Sequence, residues 1–260
     1  MFNFIHSLPR RLGRRQKGTP TRCEEANGHA LRADELTKSY GARVVIAGAS
    51  LAVRPGDGLA LLGPNGCGKT TLLSLLAGVL PSDSGSAVIC GLPVRLREAR
   101  RLLGYVPQDL ALYEELTARE NAAFFGRLCG LRGPALEDGV QSALEASELW
   151  HLRDERVSTF SGGMRRRLSV ACALVHAPRV LLLDEPFAGI DEQSCEKLLD
   201  VLAARKQSGV ALVLSTHRLD EVAALCDRFV VISRGGVIGE PAYVGESDED
   251  SELEPDGGDA

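Results

Sequence analysis

The stretch Gly63-Pro64-Asn65-Gly66-Cys67-Gly68-Lys69-Thr70 has the residue types and spacing of a phosphate cradle, GxxxxGK followed by Ser or Thr. Glycines let successive backbone amides turn inward toward phosphate oxygens, and a helix beginning at the end of the loop adds partial positive charge. In this pattern Lys69 holds the β- and γ-phosphates, Thr70 ligates Mg2+, and Thr71 continues into the helix. A pair of acids, Asp184 and Glu185, closes the apolar run Val180 to Leu183. Such a pair is costly at the end of a buried strand unless metal or charge compensates it. The chemistry that fits is Asp184 on the Mg2+ side and Glu185 as general base toward an attacking water. His217 follows a third apolar run, Val210 to Leu214, and is a candidate contact to the γ-phosphate. Taken alone it reads more often as a structural histidine.

These residues need a scaffold that delivers loops to one edge. From about Leu31 to Val244, apolar runs of strand length alternate with helix-like segments, which predicts an α/β fold with a mainly parallel central sheet. The runs Leu59 to Leu62, Val180 to Leu183 and Val210 to Leu214 are nearly continuous, as in strands buried on both faces. Each delivers polar residues at its carboxyl end, the edge at which open α/β sheets bind ligands. Ala33 to Val53 alternates over shorter stretches and predicts a small antiparallel β layer. The segment 98–160 reads as mostly helical, broken near Gly130 to Pro134, and is expected to form an inserted helical lobe. The expected organisation is a basic tail over 1–30, one nucleotide-binding domain over 31–245, and an acidic tail over 246–260, both tails unstructured.

Composition excludes several classes. Apolar residues make up 44% of the 260, and the formal net charge of -5 argues against nucleic acid as a partner. The charge is polarised, with Arg10 to Lys17 basic and Glu246 to Asp259 acidic. No window reaches the roughly 18 consecutive apolar residues that cross a bilayer. The opening segment places Phe2, Phe4, Ile5 and Leu8 before its arginines, the reverse of a secretory signal. The seven cysteines include no CxxC pair, so no zinc site or disulfide framework is indicated and a cytoplasmic setting is expected. Cys67, beside Lys69 and a helix start, reads either as a reactive thiolate or as a small buried residue.

Phe160-Ser161-Gly162-Gly163-Met164 resembles the LSGGQ signature of the ABC ATPase family, and with it the resemblance spans nearly all of Leu31 to Val244. Ser161 caps a helix whose first amides and glycines can receive an anion. The resemblance implies a P-loop fold, ATP and Mg2+ as ligands, and a head-to-tail dimer. In that dimer Ser161, Gly162 and Gly163 of one protomer close on the ATP held by the other. It further implies that Tyr40 stacks on adenine, that Gln108 in Tyr105-Val106-Pro107-Gln108 reaches Mg2+ and the membrane partner, that Asp191 lies in the interprotomer loop, and that His217 is the switch histidine. Taken singly, Tyr40 reads equally as an edge-strand aromatic. Met164 departs from the usual glutamine and Ala188 from the common serine of the interprotomer loop. The Met form, followed by Arg165-Arg166-Arg167, is similar to signatures of drug- and antibiotic-export ATPases of the daunorubicin-resistance type.

The function implied is an ATPase that powers a separate membrane permease, an exporter, from the cytoplasmic face of the cell membrane. A second ATP-binding subunit is its expected partner, with another copy of this chain the first expectation. Two other readings share the motifs: a soluble ABC ATPase acting on a non-transport complex, and an ATP-binding scaffold without useful turnover. The retained Lys69, Asp184, Glu185 and His217 speak against the scaffold.

Overall fold

The computed structural model describes residues 28–217, 222–233 and 236–243. The basic stretch Arg10 to Lys17 and the acidic stretch Glu246 to Asp259 lie outside the described residues.

Three apolar runs become adjacent parallel strands. β3 (Gly58–Leu62) pairs with β8 (Ala211–Thr216), which pairs with β7 (Val180–Asp184), and β7 pairs with β6 (Leu103–Val106). On the other side of β3 lies β9 (Arg228–Ser233), also parallel, edged by the antiparallel β10 (Gly236–Tyr243). The sheet order is therefore β10-β9-β3-β8-β7-β6. A second, antiparallel sheet holds β1 (Leu31–Tyr40), β2 (Arg43–Val53), β4 (Ser84–Ile89) and β5 (Leu92–Pro93) in the order β2-β1-β4-β5. The expected α/β class and small antiparallel layer are both present.

Because side chains alternate along a strand, one apolar run supplies two cores. Leu59, Leu61, Leu182 and Val213 face a cluster with Leu72, Leu73 and Leu76 of helix α1 (Lys69–Leu76) and with Leu31, Ile46 and Ile89 of the antiparallel sheet. Ala60, Leu181, Leu183, Leu212 and Leu214 face the opposite cluster, built on the helices that follow β6. Each fully buried leucine contributes about 1.5–3 kcal/mol relative to exposure, so two-sided burial explains why these runs carry no polar residue before their carboxyl ends.

After a short helix α2 (Arg97–Arg100) and β6 come α3 (Ala118–Leu128), α4 (Gly133–Ala146), two 3-10 turns at Trp150–Leu152 and Val157–Thr159, and α5 (Gly162–Leu174). The segment 98–160 thus opens with the short helix α2 and a strand of the main sheet, and its longer helices begin at Ala118. Helix α3 starts with a reciprocal cap: the Glu120 amide donates to Thr117 Oγ1 at 3.1 Å, and the Thr117 amide donates to Glu120 Oε2 at 2.8 Å. Gly126 and Gly139 let α3, α4 and the end of α5 approach closely. A Cβ at Gly126 would stand 2.6 Å from Leu136 Cδ1 and 2.8 Å from Val175 Cγ1. Among the described residues no helix is long and apolar enough to cross a membrane.

Asn121, fully buried on α3, fixes the loop between β6 and that helix. Its Oδ1 accepts from the Tyr113 amide at 2.9 Å, and its Nδ2 donates to the carbonyls of Tyr113 at 2.9 Å and Thr117 at 3.0 Å. Replacement by alanine leaves the Tyr113 amide without its partner and takes one bond from each carbonyl, which keep only the Leu116 and Asn121 amides. Asn121→Ala is expected to lose about 1–3 kcal/mol, seen as a thermal midpoint lower by about 2–4 °C for each kcal/mol. An unchanged midpoint would show that the loop holds without this amide.

Candidate functional site

The turn between β3 and α1 carries the phosphate-loop sequence. Gly68 occupies the N-cap position with φ 120°, no side chain caps the helix, and no acid stands in its first turn. Its opening amides are thus available to an anion. Gly63 is required by space, since a Cβ there would overlap the Ile232 carbonyl oxygen and stand 2.7 Å from Cys67 Sγ. Asn65, Gly66, Gly68, Lys69, Thr70 and Thr71 line a cleft of about 440 Å³ with Arg43, Val45, Gln108 and Glu185. Pro64 sits on the same loop, its carbonyl accepting from the Cys67 amide at 3.3 Å.

Lys69 is buried. Its Nζ donates to the Gly63 carbonyl at 2.7 Å and stands 3.3 Å from Glu185 Oε1. The other oxygen of Glu185 lies 3.1 Å from His217 Nδ1, on a ring whose side chain is half exposed. Glu185 is therefore held between a buried cation and a solvent-facing imidazole. Its backbone is in the left-handed region at φ 48°, a conformation uncommon for non-glycine residues. In this conformation the Glu185 amide donates to Ser215 Oγ on the neighbouring strand at 2.9 Å.

The same Ser215 hydroxyl donates to Asp184 Oδ1. One oxygen of this wholly buried carboxylate is thus satisfied, while Oδ2 has no hydrogen-bond partner. An orphaned carboxylate oxygen at the end of a strand, with Thr70 and Gln108 at the neighbouring cleft, fits a hard divalent cation. Among the described residues no group of three or more His, Cys, Asp or Glu is placed to hold a metal alone. The set suits Mg2+, which binds through one or two protein oxygens together with substrate phosphates. The sequence reading missed Ser215, since a serine two positions before a histidine gives no signal of its own.

Helix α5 begins at the signature. Ser161 Oγ accepts from the Met164 amide at 3.3 Å, no acid lies in the first turn, and Ser161 and Gly162 are exposed. Gly163 is packed so closely that a Cβ would overlap Ser194 Oγ. Ser194 in turn donates from its amide at 2.9 Å and its hydroxyl at 2.8 Å to Asp191, the N-cap of helix α6 (Glu192–Gln207). These bonds hold the Asp191 carboxyl below its usual range. Signature and Asp191 loop are thus packed together through Ser194, and Ser161, Gly162, Gly163 and Asp191 are not among the residues lining the phosphate cleft. Tyr40 is also outside that lining: it is 53% exposed at the end of β1, opposite Arg43 across the hairpin.

Cys67 turns inward. It is 3% exposed and belongs to the apolar cluster with Leu59, Leu72 and Ile46. Of the two readings, the packing favours the small buried residue, because the side chain lies in the apolar cluster and not in the lining of the cleft. Alkylation of the native chain followed by peptide mapping should label Cys67 far more slowly than the unfolded chain, with or without nucleotide. Rapid labelling that nucleotide suppresses would restore the reactive reading.

The chain is similar to known proteins in sequence and in fold. The family profile described as ABC transporter matches residues 46–188. The chain is 37% identical over 210 residues to the linearmycin resistance ATP-binding protein LnrL of Bacillus subtilis (strain 168), covering 80% of this chain and 68% of that one. It is 42% identical over 215 residues to the Nod factor export ATP-binding protein I of Paraburkholderia xenovorans (strain LB400), covering 82% and 71%. A solved ATP binding subunit of an ABC transporter superposes with a TM-score of 0.75 at 29% identity, over 83% of this chain and 90% of its own. With a phosphate loop, a strand-end acid pair and a capped glycine signature on one such fold, the chain belongs to the ABC transporter family, as an ATP-binding domain of it.

Proposed function

We propose that the chain hydrolyses ATP as a dimer and drives a separate membrane permease that exports drugs, lipids or other small molecules. The observation that carries the catalytic part is the placement of Glu185 between Lys69 and His217, beside Asp184 with its unpartnered oxygen. The amides of Gly66, Gly68 and Lys69 receive the phosphates, and Lys69 exchanges its carbonyl bond for phosphate oxygens. That exchange draws Lys69 off Glu185 and leaves the carboxylate to take the proton of the attacking water. The water oxygen bonds to the γ-phosphorus, the bond to the bridging oxygen breaks, and ADP keeps that electron pair. His217 steadies Glu185 through its Nδ1 and faces the leaving phosphate. Thr70, Gln108 and Asp184 would hold Mg2+, which supplies neutralisation of charge on the phosphate oxygens. Tyr40, at the mouth beside Arg43, stacks on the base.

The dimer is supported by what one copy keeps apart: the exposed start of α5 has the character of an anion site and does not line the cleft of its own chain. A second protomer, most simply another copy, brings Ser161, Gly162 and Gly163 onto the ATP. Asp191 then lies between the two. The export role comes from the relatives, whose names are those of a linearmycin resistance and a Nod factor export ATP-binding protein. A domain that works on a permease sits peripherally on the cytoplasmic face of the membrane.

Glu185→Gln should keep ATP affinity and lower turnover by roughly 10²–10⁴-fold, the usual worth of a general base. Wild-type specific activity should rise with protein concentration, whereas a flat profile would point to a monomeric catalyst. Ser215→Ala should lower turnover by about 10–100-fold, as for other groups that orient metal and base ligands. Measured with a fluorescent ATP analogue, its nucleotide affinity in the absence of Mg2+ should stay within a few fold of wild type. Full turnover in Ser215→Ala would show that the acid pair is positioned without the hydroxyl.

A further inference from the structure

Of the three consecutive arginines after the signature, Arg165 and Arg166 meet different partners, because neighbours on a helix point about 100° apart. Arg165 faces outward and pins the segment before the helix, donating to the carbonyls of Phe160 and Ser158 at 3.1 Å each and pairing with Glu114 at 2.7 Å. Arg166 turns inward and is 7% exposed. Its Nη1 donates to the Gln108 carbonyl at 3.1 Å and its Nη2 to the Ala188 carbonyl at 3.4 Å. Those two carbonyls belong to different loops, one leaving the carboxyl end of β6 and the other that of β7, adjacent strands of the parallel sheet.

The Gln108 loop lines the phosphate cleft, and the Ala188 loop runs into Gly189 and Asp191, which are locked to the signature through Ser194 and Gly163. A single guanidinium therefore joins the cleft wall to the signature block. Desolvation opposes its charge, and Asp184, Asp109 and Glu185 favour it. An apolar side chain would fill this space without that cost, so the charge and the two-pronged geometry are what the position retains.

We propose that Arg166 is a positioning residue whose guanidinium holds the Gln108 and Ala188 loops in register, so that the phosphate cleft and the signature move as one unit. The consequence for turnover rests on the ATPase reading above; the bridge itself does not. Lysine keeps the charge on one compact head and lacks the planar fork whose two nitrogens each meet one of these carbonyls. Methionine keeps most of the stem volume and removes both bonds.

The test uses the full-length chain as wild type, Arg166→Lys and Arg166→Met, with amide hydrogen exchange, ATP titration of the hydrolysis rate and thermal unfolding measured on each. Exchange at 108–112 and at 187–191 should rise together in both variants, while 70–76 in α1 stays unchanged. The kcat should fall roughly tenfold in both, the factor of one charge-assisted hydrogen bond, with KM for ATP within about threefold. Exchange that rises in one loop only, or in neither, overturns the bridge, and so does wild-type kcat in Arg166→Lys. Loss of ATP affinity and thermal stability in proportion to kcat would reduce Arg166 to a space-filler. A wild-type chain that binds ATP without turnover would sink the ATPase reading, and the exchange data would still decide the bridge.

Discussion

Two carboxylates at the end of a fully buried strand are the constraint around which this molecule is arranged. Asp184 is wholly buried and Glu185 nearly so, and neither position is tolerable for a charged group without compensation. The compensation comes from three residues of two other segments: Lys69 from the phosphate loop, and Ser215 and His217 from the strand beside β7 and its end. Each can arrive only if β3, β8 and β7 lie side by side and in register, with Asp184 opposite Ser215. The parallel sheet is thus more than a support for the loops. It is the device that brings a cation, a hydroxyl and an imidazole to one pair of acids.

The same register explains why the two halves of the domain can differ in character. Alternate residues of one set of strands feed two cores, one shared with α1 and the antiparallel sheet and the other with the helices between β6 and β7. The first core holds the phosphate loop. The second holds the signature helix, and through Arg166 and Asn121 it also holds the loop that carries Gln108. The two halves therefore meet along the carboxyl ends of the strands, where side chains from both can touch.

The start of α5 and the loop before α6 show how a short sequence gains rigidity from its surroundings. Ser161 and Asp191 each cap a helix by a local bond visible in their own segment. Gly163 then brings the two helix starts so close that any side chain would collide with Ser194. The glycine of the signature serves approach between elements as well as the helix start, and this fixes Asp191 with respect to the signature amides.

Several features could be read from the chain alone because their physics is local. The phosphate loop is one contiguous turn whose glycines and lysine must be neighbours, the buried strands are unbroken apolar runs, and the helix caps lie within four residues of what they cap. The α/β class and the edge that carries the chemistry follow from those signals. The roles of Ser215, Arg166 and Cys67 do not. Ser215 meets Glu185 from 30 positions away and Arg166 meets Gln108 from 58, and a lone serine or one arginine among three has no periodicity to mark it. Cys67 sits in a motif that suggests reactivity, yet the loop's curvature turns its thiol into the core. The sequence by itself determined which segments fold and where anions can be met. Only the tertiary structure decided which buried polar atoms face one another, because that depends on strand register and helix packing between residues far apart in the chain.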